Sequence, residues 1–117
     1  MHKRKITKLK NLKFVPFNKY GKIIKGWYWH KISFNKKTNF GTYISKLDPG
    51  TKTIEHKHSG HEEFLILDGD LIDSDGTIFK KGDFVSFKPN SSHSSYTKNG
   101  CLILTFMRGQ NIQTKKK

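Results

Sequence analysis

Cysteine is nearly missing from this chain of 117 residues. Cys101 stands alone, so no internal disulfide can form, which fits a reducing compartment. Flanked by Leu102, Ile103 and Leu104, it reads as a small buried core residue, with a redox or ligand role as the secondary reading. No run is apolar and long enough to span a bilayer, and the basic N-terminus is not followed by the apolar region of a signal peptide. The cytoplasm is therefore the expected compartment. Acidic residues are scarce too: nine Asp and Glu face 23 Lys and Arg, for a formal net charge of +14 at pH 7. That field raises the question of nucleic acid or anionic membrane partners. No helix-turn-helix or zinc-finger pattern accompanies it, and the lysines are spread along the whole chain. Trp27 and Trp29 alternate with Tyr28, which puts both on one buried or dimer-facing side rather than on a base-stacking surface. Nucleic acid is thus not the expected partner, and a small anionic substrate is the better use of the charge.

Helical periodicity is not sustained anywhere, and neither a repeat nor a linker divides the chain. What is present is a succession of short β-rich runs separated by turn chemistry. Expected strands are Leu12 to Phe17, Ile23 to Phe34, Gly41 to Leu47, Thr51 to His58, Glu62 to Leu67, Asp70 to Asp73, Thr77 to Phe79, Phe84 to Phe87, Ser92 to Thr97 and Cys101 to Met107. Asp75-Gly76 and Asn99-Gly100 are hairpin signals, because both can take the positive backbone angles of a tight turn. The pattern predicts one all-β domain over 1–117, a jelly roll, with basic ends at 1–13 and 109–117 that fray.

One stretch carries chemistry. Residues 50–69 read GTKTIEHKHSGHEEFLILDG, with His56 and His58 one residue apart and Glu62 four positions further on. Imidazole nitrogen and carboxylate oxygen suit divalent transition metals. Strand side chains alternate, so His56 and His58 share a face with Ile54 and Lys52. Ser59-Gly60 reads as a tight turn, and the returning strand can bring Glu62 opposite the pair, with Glu63 as its rival. His61 is read as a rim residue with a proton-transfer role as the alternative. A fourth donor, His93, follows the strand from Phe84 to Phe87 and the Pro89-Asn90-Ser91 turn. Tyr43, Tyr96, Phe106 and Arg108 are candidates for the rim or wall. Such ionisable groups converging inside a barrel would be costly without a metal.

These two segments resemble the cupin superfamily. Gly50 to Gly69 fits its first motif without a gap, and Gly82, Pro89 and His93 look like the second, with Asn90 and Ser91 where a glycine is usual. More narrowly, HKHSGHEEFLILDGDLIDSDGTIFKKGDFVSFKPNSSH and the later Asn99-Gly100-Cys101 are similar to the cupin domain of ChrR-type anti-sigma factors and their single-domain relatives. The resemblance covers residues 39–107. It implies a single-domain cupin jelly-roll β-barrel, a double-stranded β-helix, holding one divalent metal per chain at His56, His58, Glu62 and His93. In the ChrR-like group the equivalent residues bind zinc, and related small cupins that cleave β-dicarbonyl compounds with oxygen hold iron. Fe, Zn, Mn and Ni all suit the donor set.

Fold analogy leaves the reaction open. The first reading is a metalloenzyme acting on a small, anionic organic substrate, dioxygenase-like or isomerase- and lyase-like. The second is a ChrR-like sensor acting through a protein partner; the segment before residue 20 is too short and basic to supply the sigma-binding helical domain of that family. The third is a non-catalytic ligand-binding jelly roll. The resemblance also implies a homodimer.

Overall fold

The computed structural model describes residues 3–109 and, for the backbone alone, 111–113. Its strands run in chain order as β1 (Val15–Pro16), β2 (Trp27–Lys31), β3 (Phe40–Leu47), β4 (His56–His58), β5 (His61–Asp73), β6 (Ile78–Lys80), β7 (Phe84–Phe87), β8 (Ser92–His93), β9 (Ser95–Tyr96), β10 (Cys101–Arg108) and β11 (Asn111–Gln113). One short 3₁₀ turn, Leu9–Asn11, is the only helical element among the described residues. Among the described residues no helix is long and apolar enough to cross a membrane.

Alternation builds the barrel. In β10 the buried residues are Cys101, Ile103, Thr105 and Met107, with half-buried neighbours between them. β10 lies antiparallel between β3 and β5, giving the order β1-β2-β3-β10-β5-β6, with β7 and β9 also paired to β5. A second sheet, β11-β4-β8, carries the two histidines of β4.

Strand β5 replaces the two strands expected at Glu62 to Leu67 and Asp70 to Asp73. It buries Glu62, Phe64 and Ile66, then Leu71 and Asp73, so its inward parity switches from even to odd. The switch is a bulge: Ile103 pairs with Ile66 and Leu102 with Asp68, which leaves Leu67 as the extra residue. Gly69, at φ +76, lies where a side chain would collide with the Gly100 carbonyl, so only glycine fits this corner. The first half of the strand therefore pairs with β7 and the second half with β6 and β9.

Elsewhere the strands are shorter than their β-rich runs. The run from Ile23 to Phe34 is regular only over β2, because Gly26 turns the chain at φ +83. Of Thr51 to His58 only β4 is strand, with one isolated bridge between Lys52 and Tyr96. Ser92 to Thr97 divides, because β8 pairs with β4 whereas β9 pairs with β5. In the C-terminal segment, read as a fraying tail, the backbone of β11 pairs with β4. The Phe84 to Phe87 strand has the expected bounds.

Trp27 and Trp29 do share one buried face. Phe17, fully buried, stacks on Trp27 with ring centroids 3.7 Å apart, and Trp29 and Phe34 each meet Tyr43 edge-on nearby. Cys101 belongs to this core, and burial pushes its thiol up to about 12, which makes it a packing residue rather than a nucleophile.

Candidate metal centre

His56 and His58 come from β4, Glu62 from the second position of β5, and His93 from the end of β8, directly opposite His56 in the register. One ligand atom from each of the four lies within 4.8 Å of every other. His56 Nε2 faces His58 Nε2 at 3.1 Å and Glu62 Oε1 at 3.6 Å, and His58 Nε2 touches the same carboxylate oxygen. All four side chains are buried.

The outer nitrogens decide what the inner ones can do. His56 Nδ1 lies 3.0 Å from the Ile54 carbonyl, which can only accept, so the ring donates there. Ser91 gives its hydroxyl proton to the Lys88 carbonyl at 2.6 Å, which leaves its oxygen to accept from His58 Nδ1 at 2.8 Å. His93 Nδ1 donates to Asp73 Oδ1 at 2.7 Å. Each neutral imidazole has one proton, and all three are committed outward. Three Nε2 lone pairs and a carboxylate are then left pointing at one another. Acceptors do not stabilise acceptors, so the cluster calls for a cation, whether metal or added protons. His93 Nε2 shows the same demand, being buried with no hydrogen-bond partner among the described residues. Burial by itself would push the Glu62 carboxyl up; where His56 and His58 take the added protons, their hydrogen bonds and charges outweigh it and hold the group far below the usual carboxylate range. This donor set fits a divalent transition metal.

Glu63 faces the other way, accepting from Ser86 Oγ at 2.7 Å and pairing with Arg108 at 3.1 Å. His61 is exposed, across the ladder from Arg108. Beside the cluster lies a cavity of about 40 Å³, whose wall includes His56, Glu62 and His93. That is room for one or two water-sized groups. Tyr43 lines it as expected, but Tyr96, Phe106 and Arg108 do not, and Thr53 takes the place foreseen for Lys52 and Ile54. The reason is local: residues 53–55 are not regular strand, so parity counted back from His56 fails. Burial, then the negative charge of Glu62, raises the Tyr43 hydroxyl well above its ordinary value, and the group stays a proton donor hydrogen-bonded to Thr105. Asp73, Ser91 and Ser95, which orient the histidines, were missed. Alternation would have flagged Asp73, a carboxylate on the same face as Leu71.

A family model described as the ChrR Cupin-like domain matches residues 2–110. The chain belongs to this family of cupins. No curated protein matches the sequence. Among solved structures, this cupin is similar to an acetylacetone dioxygenase from Acinetobacter johnsonii, at 16% identity and a TM-score of 0.73, covering 92% of this chain and 76% of that one. It is similar to the polyketide cyclase RemF of Streptomyces resistomycificus, at 16% identity and a TM-score of 0.77, covering 97% and 87%. A third likeness is to the complex of Rhodobacter sphaeroides SigE with the anti-sigma ChrR, at 16% identity and a TM-score of 0.66, covering 86% of this cupin but 51% of that chain. At these identities the likeness is one of fold, the cupin jelly roll.

Proposed function

We propose that this cupin is a metal-dependent enzyme that binds one divalent transition metal through His56, His58, Glu62 and His93 and acts on a small, anionic organic substrate. The observation that carries the proposal is the convergence of three Nε2 lone pairs and one carboxylate, with every Nδ1 proton engaged outside the cluster. A bound metal would act as a Lewis acid, polarising a carbonyl or carboxylate oxygen of the substrate. The chain's own residues do the rest. Asp73 and Ser91 keep the imidazoles oriented. Leu47, Leu71 and Ile103 give the cavity an apolar wall that limits water, and Tyr43 holds a proton donor at its side. The small cavity favours a substrate of few atoms, and the charge of +14 draws anions toward it.

Elemental analysis of the full chain, purified without added metal, tests this reading. The expected result is about one first-row ion per chain, lost in His56→Ala together with turnover, screened over small carboxylates and β-dicarbonyl compounds. A folded His56→Ala protein that keeps full turnover would sink it. Iron would favour oxygen chemistry, whereas zinc would favour a hydrolytic or isomerising site or a sensor.

The family match supports a second reading, a regulatory cupin that works through a protein partner. Capture of one specific protein by the tagged chain, released when His93 is replaced by Ala, is its expected signature. Exposed Phe84 beside Phe106 on the outer sheet face supports a homodimer, which sedimentation analysis tests.

A further inference from the structure

A second concavity, of about 210 Å³, is lined by Trp29 and Phe34, both of which pack on Tyr43, a wall residue of the metal cavity. Its lining includes Lys19, Lys31 and Lys36, the amide of Asn39, and the rings of Trp29 and Phe34, with no acidic residue among the described residues. Lysines in a basic protein usually point into water. Here two of the three also lie against aromatic faces: Lys31 Nζ sits 5.0 Å from the centre of the Trp29 ring, and Lys19 Nζ 5.0 Å from that of Tyr20. Among the described residues none of the three forms an ion pair, so their charge is not neutralised at contact distance. Lys19 is largely buried, and burial lowers its amine to about 8 even though Glu62 pulls it upward. An anion in the pocket would supply the missing counter-charge.

We propose that this pocket binds an organic carboxylate with a flat apolar body, the carboxylate held by Lys19, Lys31 and Lys36 and the body lying against the half-buried Phe34, with Trp29 behind it. The ring walls select the flat body, and the Asn39 amide can donate to the carboxylate where a lysine does not reach. Arginine, which grips phosphate with a bidentate fork, is absent from the lining described, and the apolar ring favours an organic carboxylate over inorganic phosphate. The pocket shares no lining residue with the metal cavity, and Glu62 reaches it only as a charge acting on Lys19.

Benzoate titrated into the full-length protein, followed through the indole N–H signals of Trp29 and Trp27 in ¹⁵N-labelled samples, tests the assignment. Saturable shifts at Trp29 are expected, with affinity at least about tenfold weaker in a K31Q/K36Q double variant. Both lysines are exposed, so that variant should fold. The double variant K80Q/K81Q removes the same charge elsewhere and should bind as wild type does, as should His56→Ala. Inorganic phosphate should compete only weakly. Equal weakening in K80Q/K81Q would reduce the effect to the protein's overall field. Binding lost in His56→Ala but kept in K31Q/K36Q would move it to the metal. Either result, or no saturable binding, would overturn the proposal, while leaving the metal-content test of the enzyme reading untouched.

Discussion

His93 donates its Nδ1–H to Asp73 Oδ1 at 2.7 Å, and the same oxygen accepts a second hydrogen bond from Ser95 Oγ at 2.9 Å. Asp73 ends β5, the strand whose second residue is Glu62, so a single strand supplies one member of the acceptor cluster and the group that orients another. The bulge at Leu67 permits this, since without it Asp73 would face outward while Glu62 faced inward.

Replacing Asp73 by Asn keeps the shape but removes the charge that fixes the His93 tautomer. The expected consequence is a loss of metal affinity of about 10- to 100-fold, with the fold retained, as measured by competition against a chromophoric chelator. Wild-type affinity in Asp73→Asn would mean that His93 needs no such orientation.

Removing the metal should cost stability, because four acceptors then face one another in a buried site. At a metal concentration about one hundred times Kd, binding contributes about 2.7 kcal/mol, which for a chain of this size moves the melting temperature by roughly 10 °C. Thermal melts before and after chelation, with metal restored in a third sample, check this. Identical melting temperatures in all three would argue against a cation in the cluster.

Lys19 gives a pH signature with a definite sign. Its amine is lowered by burial from an ordinary 10.5 to about 8. Below pH 8 both folded and unfolded chains carry the proton, and the buried charge costs stability. Between 8 and 10.5 the unfolded chain keeps a proton that the folded one has released, so stability rises with pH, and above that range the cost is gone. Lys19→Met should therefore be more stable than wild type at pH 7, by on the order of 1 kcal/mol after allowance for partial exposure. The gain should vanish near pH 10.5, where urea midpoints of the two proteins should coincide. A gain independent of pH would assign the effect to packing.

Gly60 lies between His58 and Glu62, pressed against the end of β10, where an added methyl group would be driven into the Arg108 carbonyl. Gly60→Ala is expected to destabilise the protein by about 2 kcal/mol, as overpacking does, and to weaken metal binding by shifting β4 against β5. Urea unfolding and metal titration of the same sample measure both. An unaffected variant would show that the strand ends can part without cost.

Much of the site could be read from the chain because its information is local. The histidines of β4 share a face by strand alternation, and Glu62 follows after a short turn, the choice over Glu63 being made by the Ser86 and Arg108 partners of the latter. The β7 bounds were legible for the same reason, the strand being an apolar run bracketed by Gly82-Asp83 and Pro89-Asn90. Parity failed where the backbone leaves the strand, at residues 53–55, and where it gains a residue, at Leu67. Neither departure has a marker within its own few residues; Gly69 hints at the second only once the Gly100 carbonyl is known to press on it.

By itself, the sequence determined the all-β architecture and the cupin resemblance, and it narrowed the site to His56, His58, His93 and one of Glu62 and Glu63, because alternation, turn residues and donor type act over short spans of chain. Only the tertiary structure decided which way each imidazole proton points, that Asp73 and Ser91 hold those protons outside the cluster, and that Lys19, Lys31 and Lys36 share a pocket with no carboxylate. Those outcomes depend on contacts between segments tens of residues apart, and no local rule of spacing carries that distance.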